Sequence, residues 1–320
     1  MKTLSRLFTI AVLVLTVSCS KDHTDDNTTP TPTDNYLSVA DFHAHNGVAM
    51  QTYTVSGTAG GSFTTPQGTV VIVPANTFYT QMGAAVTGNV TVQFKDIYKK
   101  SDMLLSDISA TYETGTPLKS GGEFFIKAIA NGQGLIIGKT ITVKQPLNGI
   151  AADNGMEALF GKVDSVLAPN GGMIWAAADT FGIGGNGSVG VTASQYVFSL
   201  YSFNSSPDSG TWCNSDNPNF FSTYPQTTLT IHSVDSTFSG EVFLVFKNQS
   251  CMVHVYKYGI NYNYDYAPSG LQATVVVIGE KGGELYSAFV PITISNNMTV
   301  NFGVTLTTTE AFKAQLETLN

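Results

Sequence analysis

Hydrophobic and polar residues alternate with a period of two along most of the chain after residue 46. The alternation is strict from Met298 to Leu306, and a two-residue period also covers residues 90–95 and 124–129. This period is typical of β-strands with one face on a core, so we predict that Phe302 is buried. Continuous apolar runs predict strands covered on both faces, and they lie at Val70–Val73, Val242–Phe246 and Thr274–Ile278.

The pattern changes only near the end of the chain. Phe312, Leu316 and Leu319 are spaced so that they fall on one face of a helix. The segment Thr307–Glu310 can form a capping box at the start of that helix. We therefore predict an all-β fold, built of tandem β-sandwich modules with a short C-terminal α-helix.

Breaks in the pattern divide the chain into five predicted regions. A Gly/Asp/Asn-rich break lies at 148–155, and the segment 204–219 is polar and turn-prone. We predict a lipoprotein signal peptide in 1–18, a disordered tether in 19–46, an N-terminal β-sandwich in 47–150, an intermediate β region in 151–212, and a C-terminal β-sandwich with the terminal helix in 213–320.

The N-terminus has the pattern of an export signal. Lys2 and Arg6 precede an apolar stretch from Leu7 to Val17, which is too short to span a bilayer. The sequence Thr-Val-Ser-Cys ending at Cys19 resembles a lipobox, with Thr16 in the place of the usual Leu. The resemblance implies that Cys19 is lipidated, and two acyl chains anchor a protein stably. The alternative is an ordinary secretory signal with an incidental cysteine.

The residues after Cys19 favour localisation to the outer membrane. The Ser-Lys-Asp run at 20–22 resembles the surface-export signal of lipoproteins in Bacteroidetes-type bacteria. Surface exposure is therefore the predicted localisation, and the periplasmic face is the alternative. The Thr- and Pro-rich residues that follow have no apolar face to bury, which is why we predict a tether.

Composition narrows the classes of partner. Only 12% of the residues are charged, the net charge is −8, and Arg6 is the single arginine. Removal of Lys2 and Arg6 with the signal would change the net charge to −10. A nucleic-acid site without arginine is improbable, and an acidic chain would hold a membrane through its lipid rather than through charge.

Two segments carry a resemblance to known families. Gly60–Phe63 and Gly68–Phe78 resemble the opening of the β-sandwich module shared by ankyrins and netrin receptors, with Val73 where Ile is common, and the resemblance covers residues 60–145. Trp212–Asp216 resembles the Trp-x-Asn-x-Asp signature of surface lipoproteins, in which a sandwich of the carboxypeptidase-regulatory type follows. The resemblance implies tandem sandwiches and no particular activity.

No catalytic constellation is evident in the sequence. The Gly-x-Ser-x-Gly elbow is absent, and no Cys-His-Asp set has a recognisable spacing. Four carboxylates cluster only loosely in sequence, namely Asp102, Asp107, Glu113 and Glu123. We therefore predict a protein that is not an enzyme and has no cofactor.

Metal sites are also weakly supported. His43 and His45 share one face only in an extended segment and lack further ligands in sequence, so a solvated tether end is preferred to a metal site. His232 and His254 fall in predicted strands, where single histidines are usually structural. The oxygen-rich stretch Asn214–Asn219 lacks the spacing of a calcium loop, and an Asx-type turn is preferred.

Two cysteines remain once Cys19 is lipidated. In an oxidising compartment an even pair is a candidate disulfide, so Cys213 and Cys251 can form a bridge or stay as two buried thiols. The sequence leaves both alternatives open.

A run of tyrosines is the strongest candidate for binding. Tyr262, Tyr264 and Tyr266 share one parity of a predicted strand, in a segment that also contains Asn261, Asn263 and Asp265. Rigid aromatic faces next to short polar side chains suit sugar stacking or a protein interface. The alternative is a strand whose tyrosines are structural.

These features together predict a surface-anchored lipoprotein that is not an enzyme and serves as a binding or display module. The alternative is a glycan-binding or glycan-processing component of a surface polysaccharide system. The predicted partners are the membrane through the lipid and a glycan or a protein, without nucleic acid.

Overall fold

Strands form where the alternating pattern predicts them, and the all-β prediction is confirmed. The computed structural model describes residues 34–320 except 169–171, 178–184, 204 and 207–208. The predicted signal peptide, Cys19 and the Ser-Lys-Asp run lie outside the described residues.

Thirteen strands precede residue 218 within the described residues: β1 (Gln51–Ser56), β2 (Gly61–Thr64), β3 (Val70–Val73), β4 (Phe78–Thr80), β5 (Asn89–Ile97), β6 (Lys119–Ala130), β7 (Gln133–Ile137), β8 (Ile141–Pro146), β9 (Glu157–Val163), β10 (Met173–Ala177), β11 (Gly185–Val191), β12 (Gln195–Phe203) and β13 (Thr211–Asn217). Nine strands follow within the described residues: β14 (Gln226–Ser233), β15 (Gly240–Phe246), β16 (Met252–Val255), β17 (Lys257–Tyr258), β18 (Asn261–Pro268), β19 (Gln272–Lys281), β20 (Glu284–Thr293), β21 (Met298–Phe302) and β22 (Thr305–Leu306). The helices are α1 (Val39–Asn46), α2 (Lys100–Leu105) and α3 (Thr309–Glu317), with a 3-10 turn at Phe220–Thr223.

The first sandwich consists of two antiparallel sheets. One sheet has the order β1-β5-β6-β13-β9-β10, with β7 joining β4 to β6, and the other has the order β11-β12-β8-β3-β2. Alternate residues of β5, β6 and β12 meet between the sheets, where Phe94 stacks on Phe124 and Phe124 contacts Phe198 edge-on. The run Val70–Val73 is covered less than predicted, because β3 leaves Ile72 exposed on its outer face.

The predicted intermediate region shares its sheets with the N-terminal region. Strand β12 pairs with β8, and β9 pairs with β13, which in turn pairs with β6. The predicted boundary between residues 212 and 213 therefore falls inside β13. Long-range pairing decides this arrangement: the break at 148–155 is a connection within one sandwich, whereas the segment 204–219, predicted as turn-prone, contains the central strand β13.

The second sandwich is formed by the sheets β17-β18-β14-β21 and β16-β15-β19-β20-β22. The runs Val242–Phe246 and Thr274–Ile278 form the central strands β15 and β19, and their burial agrees with strands covered on both faces. Phe302 is buried as predicted, but the regular alternation ends there. The chain then crosses to the other sheet as β22, which leaves Leu306 exposed.

Helices α1 and α3 close one side of the second sandwich. Thr308 caps α3 by accepting a hydrogen bond from the Ala311 amide, and Phe312 is buried as predicted. Helix α1 occupies residues that we assigned to the tether, because Phe42 is buried against Phe312, with ring centroids 5.7 Å apart. The tether prediction for 19–46 is therefore wrong for residues 39–46.

Candidate functional site

The tyrosine segment does not form an exposed platform. Tyr262 and Tyr264 in β18 are only 2% and 7% exposed. Their hydroxyls donate hydrogen bonds to the carbonyl oxygens of Gly240 and Gly115. Tyr262 and Tyr264 share a face as predicted, but that face points into the core of the sandwich; the strand register shifts before Ala267, and Tyr266 keeps partial exposure.

A cavity of about 320 Å³ lies beside this strand. Its aromatic walls come from the tyrosine segment and from the strands before it, namely Tyr256, Tyr258, Tyr264 and Tyr266. Its polar groups include His254, Asn263 and Asp265. We call this cavity with these seven residues the aromatic pocket.

Packing fixes the walls of the aromatic pocket. The Tyr256 ring stacks on His254, with centroids 4.2 Å apart and planes 20° apart. The Tyr258 hydroxyl donates to the carbonyl of Val166, although the side chain is 55% exposed. Tyr266 lies directly over Gly115, whose φ of +90° and lack of Cβ permit the contact, since a Cβ there would meet the ring at 2.3 Å.

A polar network lies behind the pocket. His254 Nδ1 donates to Asp107 Oδ1 at 3.0 Å. His43 on α1 lies 2.8 Å from Glu241 Oε2 on β15 through its Nε2, and its Nδ1 donates to the carbonyl of Leu105. One ligand atom from each of His43, Asp107 and Glu241 lies within 4.8 Å of the others. We call these three residues the His-carboxylate cluster.

The charged groups of the His-carboxylate cluster influence Tyr256 in the wall of the aromatic pocket. Burial lowers the pKa of His43, but the hydrogen bond to Glu241 and the charges of Glu241 and Asp107 outweigh burial and leave the pKa above its ordinary value. Burial is the main cause of the raised pKa of Tyr256, and the charges of Asp107 and Glu241 raise it further. Tyr256 therefore lies within the electrostatic range of both carboxylates.

Sequence reasoning placed His43 at the end of a solvated tether, whereas its side chain is buried. His45 does not join it, because a helix turns the two rings to different sides, and His45 instead contacts Asp41. His232 on β14 contacts Asn261 on β18, the neighbouring strand of the same sheet. Glu241 was missed entirely, although an acidic residue at the start of an apolar strand run is a signal that could have singled it out.

The two cysteines are free and buried in different cores, so the candidate disulfide is not formed. Cys213 in β13 packs in the first sandwich, and Cys251 belongs to the apolar cluster of the second. Their side chains therefore point into separate interiors. Burial raises the pKa of both thiols, which keeps them protonated and unreactive.

The oxygen-rich stretch is a buried strand end rather than a calcium loop. The Asn214 amide donates to Asp216 Oδ2 at 2.7 Å, and burial raises the pKa of Asp216 to about 8. The predicted Asx-type turn is found at the end of the stretch, where Asn217 Oδ1 accepts from the amide of Asn219. Glu123 is also fully buried and neither carboxylate oxygen has a hydrogen-bond partner among the described residues. Burial and the nearby Asp216 raise its pKa well above the usual range.

The four loosely clustered carboxylates do not form one site in the structure. Asp107 joins the polar network, and Glu123 lies in the buried pair with Asp216. Asp102 lies on α2, where burial raises its pKa.

The comparisons with known proteins identified no match for this chain. None of the helices in the described ranges has the length and apolar character needed to span a bilayer. No protein-family model matches the chain, and a search of curated proteins found no match either.

Proposed function

We propose that this protein is a surface-anchored lipoprotein that is not an enzyme and that binds a carbohydrate in the aromatic pocket. The observation that carries this proposal is the convergence of four tyrosines with a histidine, an amide and a carboxylate around one cavity.

The chemistry of the lining suits a sugar. Aromatic faces stack on the apolar faces of sugar rings, while short polar side chains bond to hydroxyl groups. The volume of about 320 Å³ is at the lower end of the range for small-molecule sites. Because Tyr256 and Tyr266 are held by His254 and Gly115, the pocket needs little ordering when it binds.

The lining also favours binding over hydrolysis. Glycoside hydrolases use a pair of carboxyl groups on either side of the scissile bond. Asp265 is the one carboxylate among the described residues that line the cavity. A single carboxylate suits recognition of hydroxyl groups, so a binding role fits the lining better.

The proposed lipid anchor and the proposed surface localisation both rest on the N-terminal sequence. Lipidation of Cys19 would hold the protein to the outer membrane, and the Ser-Lys-Asp run favours its outer face. Cys19 and Asp34, the first described residue, are separated by fifteen positions. An extended chain of that length would span roughly 50 Å, so a surface anchor is compatible with an accessible pocket.

The test is a glycan array with the labelled full-length protein, followed by calorimetric titration of the strongest binder. The informative variant is Tyr258→Ala, because Tyr258 lines the pocket and is exposed enough to be truncated without unfolding. Loss of one stacking partner should weaken binding by roughly 3- to 10-fold.

The matched control is Tyr201→Ala, which truncates a tyrosine of similar exposure on β12 of the first sandwich. It should bind as the wild type does. The proposal is overturned if no glycan on a broad array binds, or if Tyr258→Ala and Tyr201→Ala bind equally well.

A further inference from the structure

His43, Asp107 and Glu241 bring an imidazole nitrogen and two carboxylates together from three separate elements. His43 lies on α1, Asp107 follows α2, and Glu241 lies on β15. His43 and Glu241 lie on a helix and a strand, and Asp107 is held in the turn after α2 by the hydrogen bond from its amide to the Leu104 carbonyl.

The orientation of each donor suits a bound cation. His43 Nδ1 donates its hydrogen to the Leu105 carbonyl at 3.2 Å, and Nε2 donates to Glu241, so a metal ion that displaces the Nε2 hydrogen would meet a lone pair facing the carboxylates. Asp107 accepts from His254 through Oδ1, which fixes its carboxylate. Hydrogen bonds of this kind from outer partners orient the ligands in metal sites.

The conformation of Asp107 supports the same conclusion. It has a φ of +50° directly after α2, where the amide of Ile108 bonds to the carbonyl of Met103 and closes the helix end. Glycine is the usual residue at such a position, because it adopts a positive φ without strain. An aspartate there places a carboxylate toward His43 at some cost in backbone energy.

The distances are close to what one ion requires. The three ligand atoms lie within 4.8 Å of one another. Three donors bound to one ion at about 2.1 Å each lie at most about 4.2 Å apart, so shifts below roughly 1 Å per side chain would complete the contacts. Asp107 and Glu241 keep 37% and 25% of their side chains exposed, which leaves a path for an ion.

We propose that the His-carboxylate cluster binds a divalent transition-metal ion, with His43 Nε2, Asp107 and Glu241 as ligands and His254 as the positioning residue for Asp107. A nitrogen donor next to two carboxylates suits Zn²⁺ and similar ions better than Mg²⁺ or Ca²⁺, which prefer oxygen alone. This proposal does not depend on the carbohydrate role proposed above, although His254 belongs to both sites.

The competing explanation is an ion pair with no metal function. In that case a protonated His43 donates to both Leu105 and Glu241, and the geometry is satisfied by a proton. The two explanations differ in whether added metal binds saturably at these residues.

The experiment is a calorimetric titration of ZnCl₂ into chelator-treated full-length protein. We expect one ion per chain for the wild type and at least 100-fold weaker binding for Asp107→Asn and Glu241→Gln. Asparagine tolerates the positive φ at position 107, and glutamine keeps the size of Glu241, so both changes remove charge with little effect on shape. Melting curves without metal confirm that each variant is folded.

Two histidine variants serve as matched controls. His45→Ala removes an exposed ring from the same helix, and His23→Ala removes the histidine outside the described residues. Both should bind Zn²⁺ as the wild type does, and Co²⁺ should give visible absorption bands that Asp107→Asn loses.

The metal proposal is overturned if the wild type shows no saturable Zn²⁺ binding and no Co²⁺ bands. It is equally overturned if binding survives in both Asp107→Asn and Glu241→Gln, or if His23→Ala abolishes it.

Discussion

The buried carboxyl group of Asp216 should make the stability of this protein depend strongly on pH. The side chain is fully buried in β13, next to a second buried acid, Glu123. Burial raises the pKa of Asp216 to about 8, despite hydrogen bonds that act in the opposite direction. In the unfolded chain the group would titrate near its ordinary value of about 3.9.

The sign and size of the effect follow from linkage. The protonated carboxyl contributes fully to stability below the unfolded pKa, and this contribution is lost as the pH rises toward about 8. Each pH unit in that interval corresponds to about 1.4 kcal/mol, so stability should fall by about 3 kcal/mol between pH 5 and pH 7 through this group. An amide does not titrate, so Asp216→Asn should remove that loss.

The assay is urea unfolding followed by the fluorescence of Trp175 and Trp212, at half-unit steps from pH 5 to pH 8. The measured quantity is the difference in the free energy of unfolding between Asp216→Asn and the wild type, in which the titrations of groups that do not interact with Asp216 cancel. The difference should change by about 3 kcal/mol in favour of the variant between pH 5 and pH 7. Any constant penalty from altered hydrogen bonds shifts the curve without changing its slope.

Asp235→Asn is the control for this series. Asp235 is exposed, and its hydrogen bonds with Thr237 lower its pKa, so it stays charged in both states over the whole range. Its curve should run parallel to that of the wild type. If the Asp216→Asn curve were also parallel, Asp216 would be ionised in the folded protein and the reasoning would be refuted.

Three further predictions concern the anchor and the cores. Cys19→Ala should move the protein from the membrane pellet to the soluble fraction with an unchanged melting temperature, and a mutant that stays in the pellet would contradict the lipoprotein proposal. Phe302→Asp should lower the melting temperature steeply, because Phe302 is 2% exposed and a buried unpaired charge is costly; melting within a degree or two of the wild type would contradict its burial. Tyr262→Ala with Tyr264→Ala should prevent folding, since core aromatic truncations cost about 3–5 kcal/mol each, and a native circular dichroism spectrum would show that these rings are dispensable.

The burial of Phe302 and the cap of α3 were predicted correctly because both depend on residues that are close together in the chain. A strand alternates its side chains between two faces whatever it pairs with, so the burial of Phe302 follows from its neighbours in the chain. The cap of α3 depends only on Thr308 and the residues of the next turn. Helix α1 has a similar cap, since Ser38 accepts from the Asp41 amide, but its eight residues carry too little apolar surface to form a helix unless a partner such as Phe312 covers Phe42.

The tyrosine segment lies between these cases. The sequence determined that Tyr262 and Tyr264 share a face, but not whether that face meets solvent or core. The structure decides that the face is buried. The carbonyl oxygens of Gly240 and Gly115 accept hydrogen bonds from the two hydroxyl groups, which offsets the free-energy cost of burying those hydroxyls.

The sequence by itself therefore determined the all-β class, the parity of the strands and the terminal helix. Only the tertiary structure brought His43 to Glu241, 198 positions away, and His254 to Asp107, 147 positions away. Contacts at such separations depend on which strands pair and which faces are covered, and a single sequence carries no local pattern for that choice. The His-carboxylate cluster arises where the helices α1 and α2 pack against the sheet that contains β15, β16 and β19, and the aromatic pocket arises where the segments around Gly115 and Val166 meet the tyrosine strand.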